Sequence, residues 1–265
     1  MAIGVGIGIP FKHSGGGGGG GAAVLVTDGL ILNLDSTDSS SYSGTGTAWA
    51  DISAEGNDFS LVNGPTFSTD NGGTIVTDGT NDYIESDAGI TEVNAAMSAF
   101  AYVKVTNLTA HSTGGVGYLS FVFNKRPFTP VSSWQIAIIT SASDWTANGY
   151  MSPSVNLWNG SATKVGEVDG NLLGTRPEIR NDEWHYIGFT TDGTSGGDIN
   201  LYMDGILYGT SVLSANRGIV SQNVRGAMEG WNTSYGLVGS NRNYHMYNKK
   251  LTTEEVLQNY NAIKI

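Results

Sequence analysis

Asp-Gly and Asn-Gly pairs punctuate this chain from end to end, at 28–29, 63–64, 78–79, 148–149, 159–160, 169–170, 192–193 and 204–205. Such pairs supply the positive backbone angles that two-residue hairpin turns demand. Between them, apolar and polar residues alternate. Met97, Ala99, Ala101, Val103 and Val105 share one parity, opposite Ser98, Phe100, Tyr102, Lys104 and Thr106. Trp134, Ile136 and Ile138 alternate with Gln135 and Ala137, and Trp184 and Tyr186 stand opposite His185, Ile187 and Phe189. Residues Ile199–Tyr208 read as a hairpin folded on Asp204-Gly205. Short strands separated by tight turns at this density specify an all-β antiparallel sandwich or barrel. One helix is expected, at the C-terminus and lying across the sandwich. Thr252 and Glu255 form a capping box, followed by the apolar stripe of Val256, Leu257 and Tyr260.

Composition removes whole classes of function. The 265 residues contain no cysteine, which excludes disulfide scaffolds, cysteine-based metal sites and thiol nucleophiles. Thirteen Lys and Arg against 24 Asp and Glu give a net charge of −11, so no nucleic-acid partner is expected. The longest apolar run, Ala22–Val26, is far short of the ~20 residues of a membrane-spanning helix, and no membrane insertion is expected. Hydrophobic residues at 39% are ample for a large core.

The chain divides into an arm, residues 1–23, and a body, residues 24–265. Within the arm, Ile3, Val5, Ile7 and Ile9 alternate with Gly4, Gly6 and Gly8, and seven consecutive glycines follow from Gly15 to Gly21. Extended, this segment presents one β-branched face and one face of bare backbone. That pattern suits docking on another protein's sheet edge or groove. The glycine run spans at most ~24 Å and serves as a tether. No basic residue precedes Lys12, and glycine interrupts each apolar step, so a secretory signal is not expected.

Three groups of residues together resemble the laminin-G-like branch of the concanavalin A-like lectin/glucanase superfamily. The first comprises Leu30–Asp35, Trp49-Ala-Asp51 and Ile75–Tyr83; the second Glu183–Thr190 with Leu201–Gly205; the third Asn243–Glu255 with Asn259-Tyr-Asn261. They run in the family's order over nearly the whole body. The resemblance implies a jelly-roll β-sandwich, with Trp184, Tyr202 and Tyr247 among the bulky residues filling the space between the sheets. The stretch Leu34–Trp49 and the glycine-rich arm are also similar to parts of tailed-phage virion proteins. This implies a virion surface location, attachment to other virion proteins through the arm, and a homo-oligomer.

Glucan-cleaving members of the superfamily carry a Glu-x-Asp-x-Glu strand that sets two carboxyls ~5 Å apart. Here the adjacent pairs Asp182-Glu183 and Glu254-Glu255 are the nearest arrangement, and an enzyme is not expected. Gly193-Thr-Ser-Gly-Gly197 spells a nucleophile elbow, yet it falls between two predicted antiparallel strands, where the motif has no meaning. His13, His111, His185 and His245 lack metal-ligand spacing; His185 and His245 are expected to be structural. Laminin-G-like domains often hold calcium, which leaves Asp144, Asn148, Asp169 and Asp198 as oxygen donors without a defining loop.

Sugar recognition needs aromatic platforms beside amides and carboxylates. Two segments combine them: Trp145 and Tyr150 with Asp144 and Asn148, and Trp231 and Tyr235 with Asn232. Trp158 is a third candidate. The expected function is therefore a phage virion structural protein (a capsid decoration, head fibre or tail fibre) that displays a carbohydrate-binding domain for host attachment. A purely structural decoration or connector protein is the alternative, and a polysaccharide-degrading enzyme a second one.

Overall fold

The computed structural model describes residues 23–106, 119–125, 133–139, 151–228 and 236–265. The arm residues Ile3, Val5, Ile7 and Ile9 lie outside them. Among the described residues two antiparallel sheets of eight strands each face one another. The first runs β14 (Ile206–Val212), β13 (Asp198–Met203), β12 (Trp184–Thr191), β7 (Met97–Val105), β16 (Val238–Tyr247), β5 (Thr74–Asp78), β4 (Thr66–Ser68). Its eighth member, β1 (Leu30–Asp35), shares an edge of β16 with β5. β1 pairs with Asn243–Tyr247 and β5 with Val238–Asn241, while β7 takes the other edge. The second sheet runs β11 (Lys164–Asp169), β10 (Ser152–Trp158), β9 (Trp134–Ile139), β8 (Leu119–Lys125), β15 (Arg225–Gly226), β6 (Tyr83–Ser86), β3 (Phe59–Val62), β2 (Ala48–Trp49). This is the expected jelly-roll β-sandwich.

Alternation explains why the sheets adhere. Ala99, Ala101, Val103, Ile187, Phe189 and Met246 from the first sheet meet Phe123, Trp134, Ile136 and Val155 from the second in one buried core. Aromatic rings bridge the two layers: Tyr244 lies 4.8 Å from Phe123 and 5.9 Å from Trp49, and Trp134 lies 5.8 Å from Phe189. Burying each such side chain stabilises the fold by about 2 kcal/mol.

The opposite parity of the first sheet is buried too. Phe100, Tyr102, Tyr186, Tyr202 and Tyr247 form a second apolar layer beneath Leu251 and Val256, with Trp184 packed against it. Its cover is helix α1 (Thr253–Ile263), which opens on the predicted capping box: Thr252 accepts from the Glu255 N–H, and Glu255 accepts from the Thr252 N–H. Trp184, Tyr202 and Tyr247, expected between the sheets, thus lie on the outer face under the helix. The reason is that the sheet is covered on both sides, so both parities are apolar.

Candidate functional site

A loop is positioned by the strand ends from which it leaves. Residues 140–150 join β9 to β10, whose paired ends are Ile139 and Ser152. Residues 229–235 join β15 to β16, and their neck is closed by the Leu237 N–H donating to the Ala227 carbonyl at 2.7 Å. Ala227 in turn donates to the Val122 carbonyl of β8 at 3.0 Å. β8 therefore separates the two necks, placing them two strand spacings apart, roughly 10 Å across the sheet.

Both necks stand at the same rim of the sandwich. Met151 and Ile179 exchange backbone hydrogen bonds of 2.9 and 2.7 Å. Three residues on, Asp182 donates to the Val105 carbonyl at the end of β7, and Thr106 donates to the Val238 carbonyl. This ties the start of β10 to the start of β16. The rim is built from strained and close-fitting backbone. Ala227 holds φ 65° and Asp182 φ 65°, a conformation that costs a residue with a side chain ~1–2 kcal/mol. Gly236 has no room for a side chain, because a Cβ there would come within 2.6 Å of the Gly79 carbonyl oxygen.

Of the sequence-predicted ligand residues, Trp145, Asp144, Asn148, Tyr150, Trp231, Asn232 and Tyr235 lie outside the described residues. What the structure brings together is the pair of necks that carry them. Trp158 is placed elsewhere, at the end of β10 remote from Ser152. It is buried, at 8% exposure, with its N–H donating to the Ser133 carbonyl and its carbonyl accepting from Gly218.

Below that opposite rim lies a group of buried charges that sequence reasoning missed. Glu92 accepts from Lys125 Nζ at 2.6 Å and from Trp134 Nε1 at 3.0 Å, and Arg217 Nη1 stands 3.9 Å from the same carboxylate. Arg217 also donates to the carbonyls of Ala95, Asn94 and Gly218. Burial holds the Lys125 ammonium below its usual pKa against the opposing pull of Glu92, and lowers Arg217 likewise. One carboxylate here faces two cations. The group pins the segments at 92–95 and 217–218 to the β8–β9 end.

The remaining candidates have ordinary partners. Asp169 accepts from the Asn171 N–H, and Asp198 lies 3.6 Å from Lys250 Nζ. Among the described residues no three His, Cys, Asp or Glu side chains converge on a point that could hold a metal. Ser195 donates to the Ser214 carbonyl in the segment joining β12 to β13, not in a strand-to-helix turn. His185 is held by Asp204 at 2.8 Å, and His245 Nδ1 meets the Tyr186 hydroxyl at 3.0 Å, so both serve the fold as expected. No helix among the described residues is long and apolar enough to cross a membrane.

No protein-family model and no curated protein sequence matches the chain. Among solved structures it is similar to the botulinum neurotoxin serotype D binding domain, with a TM-score of 0.62 at 14% identity, covering 89% of this chain and 52% of that one. The binding domain of Paraclostridial Mosquitocidal Protein 1 gives 0.60 at 14% identity over 88% and 52%. The serotype D ligand-binding domain in complex with N-acetylneuraminic acid gives 0.60 at 15% identity over 89% and 51%. The chain spans about half the length of these structures. At such identity the likeness is one of fold, a jelly-roll β-sandwich, and the similar structures are described as binding domains.

Proposed function

We propose that the protein is a carbohydrate-binding module whose site is the rim carrying residues 140–150 and 229–235. Trp145, Tyr150, Trp231 and Tyr235 supply platforms for sugar C–H faces, and Asp144, Asn148 and Asn232 bind hydroxyls. The observation that carries this reading is the spacing of the two necks: both aromatic-polar segments leave the same rim, one intervening strand apart. The similarity in fold to a domain solved with N-acetylneuraminic acid adds weight. In the wider reading the module sits on a tailed-phage virion, attached to other virion proteins through arm 1–23, where it engages host or environmental glycans.

A glycan array probed with the full chain, with and without calcium and including sialylated structures, tests the site. Binding that falls at least tenfold in Trp145→Ala and in Trp231→Ala supports it. No binding at millimolar sugar in either condition removes it.

A further inference from the structure

Sheet edges expose unpaired backbone groups, and natural proteins shield them by shortness, charge or proline. Four of the five edges among the described residues are shielded. On β1, which pairs only with β16, the Asn33 N–H donates to Asp51 Oδ1 and the Asn33 carbonyl accepts from the Ile52 N–H, so the following segment covers it. β2 is two residues long, β4 is three residues long and follows Pro65, and β11 carries Lys164, Glu167 and Asp169. β14 has none of these protections. Its seven residues, Ile206-Leu-Tyr-Gly-Thr-Ser-Val212, include no charge and no proline, and among the described residues it pairs only with β13. Ile206, Leu207 and Val212 are 56%, 42% and 63% exposed. A register shift at Tyr208 is its one irregularity.

A segment of matching alternation, Ile3–Ile9, lies near the start of the same sequence, and the fold brings the residues that follow it to this edge. The Val24 carbonyl accepts from Gln258 Nε2 at 2.8 Å. Leu257, the preceding helical residue, abuts Gly205 in the turn that opens β14, so closely that a Cβ there would come within 2.8 Å of it. The chain therefore runs toward its N-terminus from a point beside the start of β14. Residues 10–23, fourteen positions, reach up to ~48 Å, about twice the ~24 Å length of a seven-residue strand. At that tether length the local concentration of residues 3–9 is on the order of millimolar.

We propose that β14 is a docking edge and that its occupant is the Ile3–Ile9 segment of the same chain, added as a ninth strand. The two faces of the segment suit the two sides of the edge. On the outer side, Leu207 stands two residues past Gly205, which the half-exposed Leu257 abuts, and Val212 shares its face at the far end of the strand; along that face Ile3, Val5, Ile7 and Ile9 extend the apolar surface. On the inner side the space is narrow, since a Cβ on Gly209 would meet Leu173 and Val168 at 2.8 Å. Gly4, Gly6 and Gly8 ask for no room there. This goes beyond attachment to a particle: it gives the arm a resting place on its own body before any partner is met.

The absence of cysteine makes the test direct. Ile3→Cys, Val5→Cys and Ile7→Cys are each combined with Thr210→Cys or Ser211→Cys in the full chain, oxidised mildly and run without reductant. At least one pair is expected to close within a monomer, with a yield independent of protein concentration. In parallel, amides of residues 206–212 should exchange at least tenfold more slowly in the unmodified chain than in a variant lacking residues 1–9. Crosslinks that form only between chains and rise with concentration overturn the proposal in favour of strand exchange between copies. Absence of the intramolecular crosslink, or equal exchange in the two proteins, overturns it as well.

Discussion

Asn259 on the helix donates from Nδ2 to the Tyr247 hydroxyl on β16 at 2.9 Å, while its Oδ1 accepts from the Val26 N–H at 2.8 Å. The Tyr247 hydroxyl donates onward to the Val26 carbonyl. One amide thus fastens helix, sheet and the segment entering β1. Replacing Asn259 with Leu keeps the volume but strands a buried N–H and weakens the hydroxyl's position, each worth ~1–3 kcal/mol. The expected loss is about 3 kcal/mol, read as a lower urea midpoint at unchanged slope.

His245 sets an acid limit on stability. Burial holds its imidazole at about 4, down from 6.5, against a weaker opposing pull from Asp35. Below pH 6.5 the unfolded chain takes up a proton that the folded chain refuses until about pH 4. Its effect is therefore absent above pH 6.5 and grows as the pH falls toward 4, reaching about 3 kcal/mol of destabilisation at ~1.4 kcal/mol per pH unit. His245→Gln keeps an acceptor for Tyr186 and should flatten that part of the stability–pH curve. An unchanged slope in the variant would show that other groups govern acid unfolding.

Among the described residues, Glu92 is the carboxylate that faces both Lys125 and Arg217 in the buried group. Glu92→Gln leaves two buried cations facing an uncharged amide, and breaking such a group costs about 3–5 kcal/mol. Combining it with Lys125→Met removes one of those cations. Calorimetry should find the double variant more stable than Glu92→Gln alone, the signature of a coupled pair.

Trp158 separates folding from binding. Its burial predicts that Trp158→Ala lowers stability by about 3–5 kcal/mol. Its place at the opposite rim predicts glycan affinity within about twofold of the unmodified protein, once measured at a temperature where the variant is folded. A tenfold affinity loss in folded Trp158→Ala would move the site to that end.

The features written in local sequence were the ones legible in advance. Asp204-Gly205 adopts φ 54° and 81°, as its turn chemistry requires, and Thr252 and Glu255 cap the helix reciprocally. Parity correctly grouped Phe100 with Tyr102 and Trp184 with Tyr186, but period two says only which residues share a face. It does not say which face looks inward when a helix covers the other, so it gives no check on Trp184, Tyr202 and Tyr247, which the family resemblance puts between the sheets and the structure puts in the outer layer. Glu92, Lys125 and Arg217 meet from three distant segments, and no spacing announces them. For the candidate site, the aromatic-polar composition of the loops was visible in the sequence, whereas their shared rim depends on strand order, which local pattern does not encode.

The union of β1 with β16 has a kinetic meaning. Leu30 pairs with Tyr247, so the first strand of the body waits for the last. Closing a loop of more than two hundred residues is slow compared with forming the local β12–β13 or β13–β14 hairpins. A ribosome must release nearly the whole chain before β16 can be flanked on both sides, and until then β1 is an open edge. Refolding should therefore be slow and sensitive to C-terminal truncation, with the hairpins protected first and the β1–β16 seam last.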